Sequence, residues 1–370
     1  MKKILIKMFF FFMNTLYLLM KLRPVTKQVT LVSRESDEES LDFAMLRQEL
    51  EKSYGYKVVI LSKKLEKSPV GLMPYVLHML RQMWEFAVSK VVVTDTYCIM
   101  ISNLKHKSDL HIVQIWHAVS AIKKFGYQTI GKKDGAEEDL AKLMNMHRKY
   151  DYVISASEAT DRFFSEAFDI DSEKLVRQGL PRIDYIRNVD EQNTQEILRE
   201  YPNLIEEKRK IILYVPTMRK GRGVPLEKLF REFKEDEYVF IVKLHPLDDC
   251  TAKIEKSNVI YDDKFISYDF LNLADCVVSD YSSFSVEASL TEKELYFYLY
   301  DYEEYQESTG LNIDFMKESI SPYVAEDGKQ LAKIIAKEYN LDLMYKFRNK
   351  YVDNSLTDVT EKLGEFIDCI

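Results

Sequence analysis

Strand-length and helix-length segments alternate along this chain, and the alternation starts twice. Short apolar runs at 28–33, 56–61, 91–93, 112–116 and 152–154 are separated by helical patterns at 41–52, 75–86, 136–150 and 161–168. Strands divided by helices cannot pair as hairpins. They build β-α-β units, and hence a parallel, doubly wound sheet. A polar, charged stretch at 188–210 breaks the series, which places a domain boundary there. The series then resumes with strands at 211–215, 238–242, 276–279 and 295–299, a short extended piece at 258–261, and helices at 226–233 and 268–274. A chain of 370 residues also exceeds the usual size of one hydrophobic core. The fold expected is α/β, with two Rossmann-like domains facing a central cleft. The first covers 25–190 and the second 191–335. Helices follow at 336–370, one of them a candidate to cross back to the first domain.

The N-terminal segment, 1–24, stands apart. Residues 4–20 are apolar except for Lys7, Asn14 and Thr15, and Lys2, Lys3, Lys21 and Arg23 flank them. The run is short for a spanning helix, which needs ~20 apolar residues, and no small-residue cleavage site follows it. A helix lying in the membrane surface, with its basic residues toward anionic head groups, is the preferred reading. A helix buried against the body and a single-span anchor are the alternatives. The composition of the whole chain is that of a soluble protein, with 46% hydrophobic and 30% charged residues. A net charge of -8 argues against nucleic acid as a partner. Cys98, Cys250, Cys276 and Cys369 are scattered without a CxxC, which fits a reducing compartment and gives no zinc spacing. No metal site and no bound cofactor are expected.

In a doubly wound sheet, ligands sit at the carboxyl ends of the strands. Five such ends carry chemistry here. His117 follows the run at 112–116, with Lys123 and Lys124 close behind. Gly179, Pro181, Arg182 and Asp184 lie in QGLPRID. Thr217 and Arg219 follow 211–215, and Lys243 and His245 follow 238–242. Asp280, Tyr281, Ser282 and Ser283 follow 276–279 and precede a helical pattern at 284–290. Each group alone fits an ordinary structural role, such as a capped helix, a rigid turn or a solvated charge. Together they suit phosphate chemistry. Arginine presents a planar fork to phosphate, lysine a point charge, and a serine-capped helix start offers unpaired N–H groups. A histidine can take a proton from a hydroxyl near neutral pH. No Walker loop and no G-x-G-x-x-G occurs, so nucleotide hydrolysis and dinucleotide redox chemistry lack support.

The ordered set QIWHAVSAIKKFG, QGLPRID, ILYVPTMR, VKLHP and SDYSSFSVEA resembles the CDP-glycerol glycerophosphotransferase family of teichoic-acid enzymes. The resemblance implies a GT-B architecture. It implies transfer of a polyol phosphate from CDP-glycerol or CDP-ribitol to a hydroxyl of a lipid-linked glycan or polyol-phosphate acceptor, releasing CMP. It also implies peripheral work at the cytoplasmic membrane face. By the same resemblance, His117 is the base on the acceptor hydroxyl and His245 acts on the donor phosphates. Arg219 and the run Asp280, Tyr281, Ser282 and Ser283 contact the donor pyrophosphate. The glycine-rich turn common after the first strand is replaced here by SRESDEES. The rival readings are a GT-B glycosyltransferase using a nucleotide sugar and a non-catalytic membrane-associated binding module.

Overall fold

The computed structural model describes residues 2–65, 69–133, 135–189, 191–219 and 221–370, and only the backbone of residues 2 and 69–72. The chain divides into two compact units. The first comprises 1–119, 125–182 and 355–370, and the second 120–124 and 183–354. Each carries one six-stranded sheet, and the strands of both pair in parallel throughout. The protein has the GT-B-like α/β fold expected from the alternating pattern.

In the first unit the strands are β1 (Gln28–Ser33), β2 (Lys57–Ser62), β3 (Val91–Thr94), β4 (His111–Gln114), β5 (Tyr152–Ser155) and β6 (Leu175–Arg177), in the order β2-β1-β3-β4-β5-β6. Val29, Leu31, Val91, Val92, Val93 and Val113 are wholly buried. Helices cover both faces of such a sheet, so its strands are apolar without alternation. Three helices matter below: α1 (Lys2–Met20), α2 (Leu41–Tyr54) and α3 (Pro69–Phe86). Helix α2 begins at Ser40, whose side chain accepts from Phe43 N, and ends at Gly55 with φ 66°, the left-handed cap glycine adopts at least cost. The C-terminal helix Val359–Cys369 packs on α2, where Gly364 lies against Tyr54 and Glu49.

The helix expected over 136–150 is much shorter, Glu138–Leu143. Asn145, His147 and Lys149 beyond it have positive φ, so the backbone cannot continue as a helix. His147 is buried there against Phe168 and bonded to the Tyr150 hydroxyl. Tertiary packing has overridden local propensity.

In the second unit the strands are β7 (Lys210–Val215), β8 (Tyr238–Val242), β9 (Val259–Tyr261), β10 (Cys276–Ser279), β11 (Glu294–Tyr298) and β12 (Val324–Ala325), in the order β12-β11-β10-β7-β8-β9. β7, β8 and β10 lie in the centre, and nearly every side chain on them is buried. Residues 120–124 join this unit through a bridge between Lys123 and Leu311 and a bond from Lys124 N to Gly310 O.

Candidate active-site residues of the two units

His117 lies just beyond β4, at the carboxyl end of the first sheet. Its approach is strained. Trp116 has φ 57°, a left-handed conformation that costs a bulky residue on the order of 1–3 kcal/mol. Packing and hydrogen bonds hold it there. The Trp116 ring stacks on Phe125 at 4.4 Å and lies 4.1 Å from the His117 ring. Trp116 N donates to Gln114 Oε1, and Gln114 Nε2 donates to Thr96 O. The result turns the imidazole so that Nδ1 lies 3.0 Å from the main-chain oxygen of Asp95. A carbonyl only accepts, so Nδ1 carries the proton and a neutral His117 keeps its lone pair on Nε2.

Asp95, which the motif reading did not single out, follows β3 directly. Its carboxyl is buried, with Oδ1 lacking a partner among the described residues, and burial raises its pKa to about 7. The apolar run VVVT followed by Asp is a strand-end signal of the kind used above.

On the same sheet, Gly179 turns the chain after β6 with φ 72° and donates to Ser155 O at 2.8 Å. Pro181 is buried beside it. Arg182 does not reach outward. Its main-chain N and its Nε each lie 2.8 Å from the buried carboxylate of Asp42 on α2. The Nε side of its fork therefore holds the turn. Asp184 belongs to the second unit, where its carbonyl accepts from Asn188.

In the second unit one carboxylate gathers the expected donor residues. Asp280, fully buried after β10, accepts from Thr217 N at 2.9 and 3.0 Å, which joins the loop after β7 to the loop after β10. It also accepts from Ser282 N at 3.3 Å and pairs with Arg219 at 3.0 Å. Arg219 is itself only 3% exposed. Its other donors go to Asp301 at 2.8 and 3.0 Å and to Thr217 O at 2.6 Å. The rings of Tyr281, Tyr300 and Tyr305 each stand 5.1 Å from its guanidinium carbon. Burial alone would lower the Arg219 pKa, but the Asp280 and Asp301 carboxylates raise it further. The expected phosphate contact is thus a buried strut that fixes the rim. Asp301 and Tyr300, just past β11, went unnoticed in the motifs although YLYD is again a strand end.

Lys243 is likewise committed inward, to the carboxylate of Asp262, to Asp262 O at 2.9 Å and to Phe265 O at 2.6 Å. Thr217 Oγ1 is buried and has no partner among the described residues. The helix expected over 284–290 is a five-residue turn, Phe284–Ala288. Ser283 stands at its start with helical angles and makes no capping bond, whereas the Ser282 hydroxyl accepts from Phe284 N at 3.3 Å.

His245 is exposed two residues beyond Lys243. Leu247 N donates to its Nδ1 at 3.1 Å. Here the main chain is the donor, so Nδ1 accepts and the ring proton of a neutral His245 sits on Nε2. The backbone assigns the two histidines opposite tautomers.

Residues 13–368 match the family described as CDP-glycerol:poly(glycerophosphate) glycerophosphotransferase. The chain belongs to this family. It is 28% identical to a teichoic acid ribitol-phosphate primase of Bacillus spizizenii, covering 95% of this chain and 93% of that protein. It is 27% identical to a teichoic acid glycerol-phosphate primase of Bacillus subtilis, covering 99% and 98%. Among solved structures, the wall teichoic acid polymerase TagF superposes with a TM-score of 0.70 at 20% identity, over 93% of this chain and 89% of that one. A UDP-GlcNAc 2-epimerase from Neisseria meningitidis gives 0.57 at 13% identity, over 93% and 100%. The enzyme class is therefore that of a CDP-polyol phosphotransferase, and the shared fold extends to a sugar-nucleotide enzyme.

Proposed function

We propose that the chain transfers glycerol phosphate or ribitol phosphate from the CDP-polyol to a hydroxyl of a lipid-linked teichoic-acid acceptor. The observation that carries the mechanism is the opposition of the two tautomers. His117 presents the Nε2 lone pair of a base, and His245 presents Nε2–H as a donor. His117 takes the proton of the acceptor hydroxyl. The oxygen then attacks the phosphorus that bears the polyol, forming a P–O bond as the bond to CMP breaks. CMP leaves as a phosphate anion, which His245 Nε2–H and the hydroxyls of Thr217, Ser282 and Ser283 stabilise. Most of the rate comes from positioning and from charge stabilisation in place. Arg219, Asp280, Tyr281 and Lys243 serve by fixing the rim, while Gly179, Pro181 and Arg182 fix the turn beside β6. Lys123, Lys124 and Asp184 remain as further candidates for ligand contact.

Match over nearly the whole length of two primases favours addition of a first unit. Helix α1 supports work at the cytoplasmic membrane surface. It is long and apolar enough to cross a membrane, only 11% of the stretch Lys3–Met20 is buried, and Phe11, Phe12, Leu18 and Leu19 are exposed. Met13 and Tyr17 dock it on the first unit, where Asn14 bonds to Asn103 O. A helix anchored by one face, with the opposite face apolar, fits lying in the interface.

The test is mass spectrometry of products after incubation with CDP-glycerol or CDP-ribitol and a lipid-linked disaccharide. Acceptor mass gained by one polyol phosphate, with CMP released, is the expected result. Consumption of a nucleotide sugar instead would overturn the reading.

A further inference from the structure

Arg34, in the turn SRESDEES that follows the first strand, has no counterion among the described residues. Arg34 follows β1 and is half-buried, and its Nε is sealed from solvent without any acceptor. No ion pair forms at Arg34 among the described residues, whereas the forks of Arg182 and Arg219 are each met by a carboxylate. A shielded guanidinium N–H without an acceptor is costly, and an incoming anion would offset that cost.

The surroundings hold donors of the same kind. The Arg34 guanidinium lies 5.3 Å from the Tyr97 ring centre. Cys98, next along, bonds to Gln82 Oε1 at 3.7 Å, which leaves Gln82 Nε2 buried and unpartnered. Gln82 is 1% exposed, and Thr96 is 3% exposed with an equally unpartnered hydroxyl. A cation and unused N–H and O–H donors, with no carboxylate paired to the cation, describe an anion site.

Its position gives it a role. Strand β1 pairs with β3 and β3 with β4, with Val32 beside Thr94 and Thr94 beside Gln114. Continued past the strand ends, that register sets Arg34 and Trp116 two strands apart, roughly 10 Å between backbones. Aromatic contacts span the gap. Tyr97 lies 5.5 Å from His147, His147 lies 6.0 Å from Trp116, and Trp116 touches His117. An arginine side chain and one polyol phosphate together bridge that distance.

We propose that Arg34, with Gln82 and Thr96, binds a phosphate of the acceptor and so delivers the acceptor's hydroxyl to His117. This rests on the polyol-phosphate transfer reading. The phosphate belongs either to the diphosphate of the lipid carrier or to a polyol phosphate already attached, and the test separates them.

Two acceptors are compared in wild type, Arg34→Gln and Arg34→Lys. One is a farnesyl diphosphate disaccharide. The other is an octyl disaccharide tipped with one glycerol phosphate and lacking the diphosphate. Loss of a charge-assisted bond to phosphate is expected to raise the KM of one acceptor roughly ten- to hundredfold in Arg34→Gln. Partial recovery is expected in Arg34→Lys, with the KM for CDP-glycerol unchanged. The affected acceptor identifies the phosphate. Calorimetric binding of both acceptors without donor repeats the comparison independently of turnover. If wild type releases no CMP, the transfer reading fails while the binding arm still tests the site. Unchanged binding and KM for both acceptors in a folded Arg34→Gln protein would overturn the proposal.

Discussion

His117 and His245 differ in what the main chain offers their Nδ1 atoms, a carbonyl in one case and an N–H in the other. That difference is testable by isosteres. Glutamine carries an N–H near the place of imidazole Nε2, whereas asparagine reaches only as far as Nδ1. His245→Gln is therefore expected to keep more activity than His245→Asn or His245→Ala, measured as kcat for CMP release. Equal losses in all three would remove the donor role. At His117 an alanine supplies no base, and His117→Ala is expected to lower kcat by about 10²–10⁴-fold. Full activity in that variant would end the base assignment. Asp95 gives a stability prediction. Its carboxyl ionises near 3.8 when unfolded but is held protonated to about pH 7 by burial when folded. The folded state binds that proton more tightly, so this contribution to stability is steady below pH 4, falls between pH 4 and 7 and is level above. Asp95→Asn is expected to abolish that fall, adding up to about 4 kcal/mol at pH 7.5. Urea unfolding at pH 4 and 7.5 measures it, and an unchanged pH slope would contradict the burial argument.

Strand ends organise the elements. Their positions were readable because parallel strands are short apolar runs and polar residues at their carboxyl ends stand out. What those residues bond to was not readable. Arg219 meets Asp301, Lys243 meets Asp262 and Arg182 meets Asp42, partners remote in sequence that only the closed sheet brings together. A motif shows that an arginine is at the rim but not whether its fork is already occupied. Asp280 carries the consequence. Removing it leaves Arg219 buried beside one carboxylate rather than two and frees Thr217 N, so Asp280→Ala is expected to destabilise the protein by about 3–5 kcal/mol. Denaturant titration checks this, and a loss under 1 kcal/mol would argue that the network is peripheral. Helix α1 was legible as apolar, but its docked stripe at Met13, Asn14 and Tyr17 was not, because that stripe is defined by His106 and Asn103 on another segment. Phe11→Asp with Phe12→Asp changes only exposed positions. Cosedimentation with anionic vesicles is expected to fall at least tenfold, since burying one such side chain is worth roughly 1.5–3 kcal/mol. Unaltered cosedimentation would place membrane contact elsewhere.

At the scale of the whole molecule, the proposed donor and acceptor groups fall in different units. The donor candidates Thr217, His245, Ser282 and Ser283 all belong to the unit containing 183–354, and Arg34, Asp95 and His117 belong to the unit containing 1–119. A ligand that binds the folded state stabilises it, by about 2.7 kcal/mol at a hundredfold excess over Kd. That stabilisation slows hydrogen exchange most where the ligand closes off local opening. CDP-glycerol is therefore expected to protect the loops after β7, β8 and β10, at 216–219, 243–248 and 280–284. The strand ends at 33–36 and 95–98 should stay unaffected, and a phosphate-bearing acceptor should give the reverse pattern. Because Thr217 N is bonded to Asp280, protection at 216–219 and 280–284 should rise together and be lost together in Asp280→Ala. His117→Ala should retain all of the donor protection, since it removes a base and leaves the donor rim intact. Donor protection confined to 33–36 and 95–98 would reverse the assignment of the two sheets, and with it the direction in which the phosphoryl group is passed.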